Sequence, residues 1–328
     1  MEARLKQKSI VTIDMGGTKI LAAVVNSKDG IIARAKTPTK SNSGANSYIK
    51  SLADITFKAI SNAGLKKSDI RAVCLGIPGS VNPHKGVIGL APNLGLKNFE
   101  IKNRLQKKIP FPVLIENDVN LGALGVQKFG VGKKSKNLLA IFVGTGIGGA
   151  LIFDGKMYRG TDYIAGEIGH MIIEENGPVC GCGKKGCFEA LASRTSIVRN
   201  ILNDKRTKKE SIIGKIVPPG EKIKSGALAE AVRKNDKIVL EHLTNACNVI
   251  GMVTANACSL LNVDTVVFGG GLIEALGKTM LPIIQKSFNK FVFAGSAKSI
   301  KIIQSKLGDD AAIYGGVALA EEFLRIKV

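Results

Sequence analysis

A pattern of apolar run, glycine-rich turn and apolar run occurs twice in this 328-residue chain. The first copy spans residues 10–25 and turns at residues 14–18, and the second spans residues 138–153 and turns at residues 144–149. Apolar runs on both sides of a glycine turn are typical of β-hairpins. The repetition therefore predicts that one hairpin unit opens each of two domains.

The rest of the chain alternates between strand and helix patterns, which predicts an α/β fold. Strand patterns lie at residues 71–77, 112–115 and 263–268, and helix patterns at 47–64, 121–129, 236–261 and 311–326. The length exceeds the size at which one core usually stops growing. We predict a smaller N-terminal domain (1–118 plus about 309–328) and a larger domain (119–308). Residues 203–225, rich in Lys and containing Pro218, Pro219 and Gly220, are predicted to form an exposed loop.

One imidazole and three thiols fall within 18 residues: His170, Cys180, Cys182 and Cys187. Four glycines in this stretch permit the tight bends that would let the side chains converge. The set matches a closed tetrahedral zinc site, which would be structural because no coordination position is left open. The alternative is a disulfide or free thiols, but tight Cys/His clusters in intracellular chains more often bind metal. Cys74, Cys247 and Cys258 lie in apolar contexts and are predicted to be core residues.

The two glycine turns carry groups suited to phosphate. In the first turn, backbone N–H groups, a hydroxyl and the Asp14 carboxylate follow a strand, as phosphate and hydrated Mg²⁺ require. Either turn alone could be an ordinary hairpin turn, but two such turns from two domains could hold one polyphosphate. A later strand ends in three glycines, which would allow a ligand close to the backbone. The candidate phosphate- and ligand-binding residues at these three places are Asp14, Gly16, Gly17, Thr18, Lys19, Thr145, Gly146, Gly270 and Gly271.

Residues 116–120 follow a buried strand pattern and supply a carboxylate and amides to one place. Asp118 could deprotonate an alcohol that attacks a γ-phosphoryl group; the alternative is a polar end to the strand. Glu167, His170 and Glu189 flank the cysteine cluster and could bind the hydroxyls of a sugar, with solvated loop residues as the alternative. If one nitrogen of His170 binds metal, the other remains a donor.

The net charge of +21 raises the question of a polyanionic partner. The lysines are scattered, however, and the chain has no Trp and no Arg-rich tract. Few side chains are therefore suited to stack on the bases of a nucleic acid. Residues 1–9 are short and mixed in charge, and Asp14 interrupts the apolar run that follows. We therefore expect no signal peptide, no membrane partner and no nucleic-acid partner, and a cytoplasmic location.

Seven motifs in order resemble the ROK family (repressors, ORFs and sugar kinases), and its bacterial glucokinases in particular. They are DMGGTK at 14–19, IPG at 77–79, APNLG at 91–95, ENDVN at 116–120, GTGIGG at 144–149, EIGH at 167–170 and CGCGKKGCFE at 180–189. The resemblance covers nearly the whole chain. It implies an actin-like, ribonuclease H-like fold of two α/β domains around a central cleft.

The resemblance also implies an activity, which is ATP-dependent phosphorylation of a hexose at its 6-hydroxyl, with ATP, Mg²⁺ and structural Zn²⁺ as cofactors. Asp118 matches the general base, and a homodimer is expected. The matching sugar contacts are Gly79, Asn93, Asn117, Asp118, Glu167, His170 and Glu189, and the matching zinc ligands are His170, Cys180, Cys182 and Cys187.

Two positions depart from the family pattern. Leu96 stands where glucokinase-like members commonly carry an aromatic residue, which weakens the expectation of glucose over other hexoses, and Gly122 stands where alanine is usual. Kinases for N-acetylmannosamine, N-acetylglucosamine or fructose remain alternatives, as does polyphosphate in place of ATP. A sugar-responsive transcriptional regulator is a further alternative, disfavoured because the first strand pattern begins at Ile10 and leaves no room before it for a DNA-binding domain.

Overall fold

A computed structural model of the chain describes residues 9–17, 19–26, 29–39, 44–295 and 299–325. The strands are β1 (Ser9–Met15), β2 (Lys19–Asn26), β3 (Gly30–Pro38), β4 (Ile70–Ile77), β5 (Ser80–Asn82), β6 (Val87–Ala91), β7 (Leu96–Phe99), β8 (Val113–Asn117), β9 (Leu138–Val143), β10 (Ile147–Phe153), β11 (Lys156–Tyr158), β12 (Thr265–Gly269) and β13 (Lys301–Gln304). The α-helices are α1 (Ala45–Asn62), α2 (Ile101–Gln106), α3 (Asp118–Phe129), α4 (Phe188–Ala192), α5 (Arg194–Asn203), α6 (Thr207–Glu210), α7 (Ile213–Ile216), α8 (Ser225–Arg233), α9 (Lys237–Leu261), α10 (Gly271–Phe291) and α11 (Asp310–Leu324). Short 3₁₀ turns lie at Lys67–Asp69, Pro92–Leu94 and Ile168–His170.

The chain divides into two compact units. The first comprises the described residues up to Lys133 together with Met157–Ala165 and the segment from Asp309 onward, and the second comprises Lys134–Lys156 and Gly166–Gly308. The sequence-based boundary at residue 118 therefore falls inside the first unit. The reason is that α3, which begins there, packs against the C-terminal helix α11.

The first unit is built on a five-stranded sheet with the order β3-β2-β1-β4-β8. β1 pairs antiparallel with β2 and parallel with β4, which in turn pairs parallel with β8. Both β1 and β4 are buried along almost their whole length, as their continuous apolar sequences require of strands covered on two faces. Helix α1 contributes Tyr48, Leu52 and Ile55 to the core of this unit.

The second unit repeats this arrangement in a sheet that contains the strand order β10-β9-β12-β13. β9 and β10 form an antiparallel hairpin, β9 pairs parallel with β12, and β12 pairs parallel with β13. The predicted pair of hairpins is thereby confirmed: each opens a sheet and is extended on one side by parallel strands. A small separate sheet, β5-β6-β7, belongs to the first unit.

Helix α9 is the central helix of the second unit's core and packs along α10. It begins at Lys237 because the carboxylate of Asp236 accepts hydrogen bonds from the N–H groups of Ile238 and Val239. By length and composition it is the one helix among the described residues that could cross a membrane, but 56% of its most apolar window is buried. Its apolar composition is that of a core helix.

Residues 203–225 are mostly exposed, as expected from their composition, but they do not form a continuous loop. They contain the short helices α6 and α7, and Ile213 is almost completely buried in the core of the second unit. The buried carboxylate of Asp236 fixes the turn before α7 by accepting hydrogen bonds from the Ser211 hydroxyl at 2.6 Å and the Ile212 N–H at 2.8 Å. The composition predicted the exposure of the segment but not its two short helices, because its many lysines obscured the few residues that are buried, among them Ile213 and Thr207.

Candidate functional site

The carboxyl ends of three parallel strands meet at one edge of the first unit's sheet. The register places Asp14 of β1 beside Gly76 of β4, and Gly76 beside Glu116 of β8. The loop that contains Gly79 and the start of α3 at Asp118 follow directly from these strands. This edge is where ligands bind in open α/β sheets, because the strand ends deliver loops and helix N-termini there.

Asp118 is the first residue of α3, and Asn117 is its N-cap. The side-chain Oδ1 of Asn117 accepts a hydrogen bond from the Asn120 N–H at 3.0 Å, while the side-chain Nδ2 of Asn117 donates to the backbone oxygen of Gly79 at 3.0 Å. Asp118 itself accepts a bond from the Val119 N–H at 2.9 Å. The structure thus brings together three predicted site residues, and the turn at Gly79 needs glycine because a Cβ there would lie 2.2 Å from the Leu90 oxygen.

A buried ion pair that the sequence did not suggest lies directly beneath Asp118. The fully buried Glu116 carboxylate accepts hydrogen bonds from Arg159 Nε at 2.7 Å, from Asn120 Nδ2 at 3.1 Å and from the Asn117 N–H at 3.0 Å. Arg159 also donates to the Glu322 carboxylate of α11 at 3.0 Å. Although burial lowers the pKa of Arg159, Glu116 and Glu322 raise it above its ordinary value. Because every group is paired, this network can hold the start of α3 rigidly.

Asp14 has an unusual charge environment. The pKa of Asp14 is raised to about 7, first by burial and then by the negative charges of Asp118 and Asp309, while the positive charge of Lys19 lowers it. Lys19 in turn forms an ion pair with Asp309, the residue that precedes α11. The three carboxylates therefore influence one another within the first unit. A site with several carboxylates and strand-end backbone groups suits a hydrated divalent cation.

The raised pKa of Asp14 predicts a pH dependence of stability. Because the folded protein holds this proton more tightly than the unfolded chain, whose Asp pKa is about 4, protonation of Asp14 favours the fold. This contribution is present at low pH and is lost as the pH rises through the window from about 4 to about 7, above which it stays constant. The Asp14→Asn variant should abolish this loss and be more stable than the wild type at pH 8, by on the order of a few kcal/mol.

The measurement is chemical denaturation of the metal-free protein between pH 5 and pH 8, followed by circular dichroism. Asp54→Asn, which changes an exposed aspartate of α1 in the same unit, is the matched control and should follow the wild type. Parallel curves for the wild type and Asp14→Asn would show that Asp14 ionises normally.

In the second unit, the GTGIGG turn joins β9 and β10 and is held by the helices that follow the cysteine loop. The Arg194 N–H donates to the Gly144 oxygen at 3.0 Å, and the Thr195 hydroxyl donates to the Thr145 oxygen at 2.7 Å. The Ile147 N–H donates to the Glu189 carboxylate at 2.8 Å. The turn is thereby fixed from outside its own hairpin.

Glu189 also explains why a glycine precedes Ile147. A Cβ on Gly146 would lie 2.1 Å from the Glu189 carboxylate, so only glycine leaves room for this contact. Glu167 lies near His170, with 3.8 Å between a carboxylate oxygen and Nε2. Burial raises the pKa of Glu167, His170 lowers it, and the charge of Glu189 raises it again. Glu167, His170 and Glu189 therefore form one polar cluster in the second unit.

The four predicted metal ligands converge. One ligand atom from each of His170, Cys180, Cys182 and Cys187 lies within 4.8 Å of the others. Cys180 Sγ is 3.7 Å from His170 Nδ1, and Cys182 Sγ is 3.7 Å from Cys187 Sγ. Tetrahedral ligands about 2.3 Å from a zinc ion would be roughly 3.7 Å apart, so the donor set and its spacing fit zinc. All six cysteines are free, and Cys74, Cys247 and Cys258 are buried in apolar surroundings.

The remaining predicted site residues are mostly glycines, and they differ in how much space a side chain would have. Gly270 has a φ of 87°, and a Cβ there would lie 2.7 Å from the Val143 oxygen, so this glycine serves the contact between α10 and β9. Gly17 and Gly271 have open space where a Cβ would lie, whereas Gly16 donates its N–H to the Lys19 oxygen. Asn93 is exposed. Thr18 lies outside the described residues.

Comparisons with known proteins agree with these features. A glucokinase of Halalkalibacterium halodurans is 32% identical and covers 95% of this chain and 94% of its own length. A xylose repressor of Caldicellulosiruptor bescii is 28% identical and covers 95% of this chain and 77% of its own length. The crystal structure of a ROK family glucokinase from Streptomyces griseus in complex with glucose and AMPPNP is 28% identical, with a TM-score of 0.83 over 96% of this chain and 99% of that one.

The family model of the ROK family matches residues 10–323, nearly the whole chain. Together with the structural match to the Streptomyces griseus glucokinase, this confirms the actin-like α/β fold predicted from the motifs. The chain therefore belongs to the ROK family.

Proposed function

We propose that this protein is an ATP-dependent hexose kinase that phosphorylates the 6-hydroxyl of glucose, with Asp118 as the general base. The observation that carries the proposal is the placement of Asp118 and Asp14 at one edge of the first unit's sheet, where their charges interact. The similarity to two ROK glucokinases supports it.

In the proposed reaction, the Asp118 carboxylate takes the proton of the sugar hydroxyl as its oxygen attacks the γ-phosphorus. The bond to the bridging oxygen breaks, the phosphoryl group moves to the sugar, and ADP leaves with the electron pair. Most of the rate gain in such reactions comes from positioning and charge stabilisation. Asn117 and the Glu116–Arg159 pair would supply the positioning by fixing the first turn of α3.

We assign the cofactors and contacts unit by unit. In the first unit, Asp14, Gly16, Gly17, Thr18 and Lys19 would bind phosphate and Mg²⁺, and Gly79, Asn93 and Asn117 would contact the sugar. In the second unit, the proposed nucleotide contacts are Thr145, Gly146, Gly270 and Gly271, and the proposed sugar contacts are Glu167, His170 and Glu189. Mg²⁺, when bound, would neutralise charge on the phosphates.

Zinc is the metal that we propose for the cysteine cluster, with a structural role. Cys187 is fully buried and is the N-cap residue of α4, which carries Glu189, whereas Cys182 is exposed. We therefore expect Cys187→Ser to lower both the zinc content, from about one equivalent per chain to near zero, and the melting temperature. Cys182→Ser should lower the zinc content with a smaller effect on stability.

Elemental analysis of the purified variants and thermal unfolding with and without a chelator would measure both effects. Cys247→Ala, which changes a buried cysteine outside the cluster, is the matched control and should keep its zinc. Full zinc occupancy in both cluster variants would remove the cluster from consideration as a metal site.

The activity itself is tested by a coupled ADP-release assay. ATP and Mg²⁺ are offered with glucose, mannose, fructose, N-acetylglucosamine and N-acetylmannosamine in turn. Inorganic polyphosphate is tried as donor in parallel, with the sugar phosphate detected by phosphorus NMR because this donor releases no ADP. An Asp118→Asn preparation, purified identically, sets the background from contaminating kinases. We expect glucose-dependent ADP release with the wild type alone and a phosphorus NMR signal of the 6-phosphate. Silence on every sugar with either donor would overturn the kinase proposal.

Two further attributes extend the proposal. We propose a cytoplasmic location, for which the similarity to two ROK glucokinases is the support. We also propose a homodimer, on the family resemblance alone. Sedimentation at micromolar concentration would test the assembly, since a monomer would be clearly resolved from a species of twice the 34.6 kDa chain mass.

A further inference from the structure

Arg194 stands apart from the other arginines of the second unit. Arg199 donates to the Ala190 oxygen, Arg206 pairs with Asp204 and Glu241, and Arg233 is exposed at the end of α8. Within the described residues, the Arg194 guanidinium has one hydrogen-bond partner, the hydroxyl of Thr145 at 2.6 Å, and no carboxylate. A half-buried guanidinium beside a neutral hydroxyl retains most of its donors for another group.

The position of Arg194 in the chain is also unfavourable for a cation. It is the first residue of α5, where the helix dipole favours negative charge and disfavours positive charge by about 0.3–1 kcal/mol. Natural sequences tend to break such local rules at functional positions. An anion beside Arg194 would reverse the sign of this interaction and be favoured by both the guanidinium and the helix N-terminus.

The partner of Arg194 indicates which anion this is. Thr145 is exposed at the tip of the GTGIGG turn. The turn is rigid because Glu189 and Thr195 bind it from the helices α4 and α5. A fixed fork of N–H donors beside a glycine turn matches the geometry of phosphate oxygens, which arginine binds in pairs.

We propose that Arg194 binds the phosphate chain of the triphosphate donor, next to Thr145. The inference rests on the proposed kinase function and deepens it by naming a phosphate-binding residue that the sequence motifs did not include. The phosphate chain is common to ATP and to inorganic tripolyphosphate, so the test uses both. Because Arg194 has no acidic partner to lose, removing its side chain should not destabilise the protein.

The experiment measures dissociation constants by isothermal titration calorimetry in the presence of Mg²⁺, with and without glucose. The probes are AMPPNP, ADP, AMP, adenosine and tripolyphosphate, and the proteins are the wild type, Arg194→Ala and Arg194→Lys. Arg233→Ala removes the same charge from an exposed position in the same unit and is the matched control. Thermal unfolding of each protein without ligand accompanies the titrations.

We expect Arg194→Ala to lower the affinity for AMPPNP and for tripolyphosphate roughly 10- to 100-fold, which is the range for a hydrogen bond to a charged group. In this variant the affinity for ADP should fall less, and the affinity for adenosine should be unchanged. The affinities of Arg194→Lys should lie between those of Arg194→Ala and the wild type, and those of Arg233→Ala should match the wild type. The melting temperature of Arg194→Ala should equal or exceed that of the wild type.

Three results would overturn the proposal. They are unchanged affinity of Arg194→Ala for both triphosphate probes, an equal loss for adenosine, or a wild type that binds neither AMPPNP nor tripolyphosphate. Failure of the kinase function is a separate result. In that case the wild type would phosphorylate none of the hexoses, but a loss of tripolyphosphate affinity in Arg194→Ala could still be measured. Weakening of tripolyphosphate alone would assign Arg194 to inorganic polyphosphate and not to ATP.

Discussion

Replacing Asp118 with alanine is expected to lower kcat by about a hundred- to ten-thousand-fold, the usual contribution of a positioned general base. The dissociation constant of the sugar should change little by comparison, because the proton is transferred in the transition state and not in the bound ground state. Steady-state kinetics with the best hexose of the panel, together with direct sugar titration, separates the two quantities.

Asp118→Asn tests the role of the base more specifically, because it removes the base and keeps the local hydrogen bond. The Asp118 carboxylate also accepts the Val119 N–H at the first turn of α3, and the amide oxygen of asparagine can accept the same bond. Asp118→Asn should therefore lose as much turnover as Asp118→Ala while keeping wild-type stability. Turnover within about tenfold of the wild type in both variants would place the base at another residue. Since Asp118 raises the pKa of Asp14, both variants should also bring the pKa of Asp14 closer to its ordinary value.

The parts of the fold that follow from local sequence were predictable. Each hairpin is signalled by apolar runs around a glycine turn, and both are present with the expected antiparallel pairing. The cysteine cluster was predictable for the same reason, because its four ligands lie in one short segment and need only tight turns to converge. In each case the interacting residues are near neighbours in the chain.

The parts that depend on distant contacts were not predictable. Arg159 lies in a segment without a clear pattern, and its partners Glu116 and Glu322 come from other parts of the chain. One signal was available: Glu116 ends an otherwise apolar strand, and a buried carboxylate must have a positive or donating partner. That argument predicts a partner for Glu116 but does not identify it as Arg159.

Asp309 and Arg194 were missed for a related reason. Asp309 influences Asp14 only because α11 returns to the first sheet, and the sequence shows α11 as a helix without showing where it packs. Arg194 follows the cysteine loop, and the sequence gives no sign that it differs from other helix residues. Its contact with Thr145 is visible only in the structure. Residues outside the motifs thus gain a functional role through tertiary contacts.

Helices α3 and α11 cross closely, and a substitution at their contact is expected to destabilise the first unit strongly. A Cβ on Gly315 would lie 1.7 Å from the Leu121 oxygen, and one on Gly125 would lie 1.9 Å from the Ala311 oxygen. Both contacts are with backbone atoms of the facing helix, which cannot rotate away as a side chain can. Gly315→Ala must therefore separate the two helices, and we expect it to destabilise the protein by roughly 3 kcal/mol or more, in the range that marks severe overpacking.

The consequence reaches the proposed site because α3 begins at Asp118 and α11 carries Glu322, a partner of Arg159. We expect Gly315→Ala to lower the melting temperature by roughly 6–12 °C, taking about 2–4 °C per kcal/mol, and to raise amide exchange in α3 and α11 before the second unit's helices. Gly226→Ala is the matched control: this glycine lies in α8 with open space around it, so the added methyl group should leave stability equal or slightly higher. A wild-type melting temperature for Gly315→Ala would mean that the two helices are not held as closely as their backbone contacts indicate. Severe destabilisation with an intact second unit would show that the placement of Asp118 depends on the close contact between α3 and α11, whose glycines Gly125 and Gly315 lie far apart in the sequence.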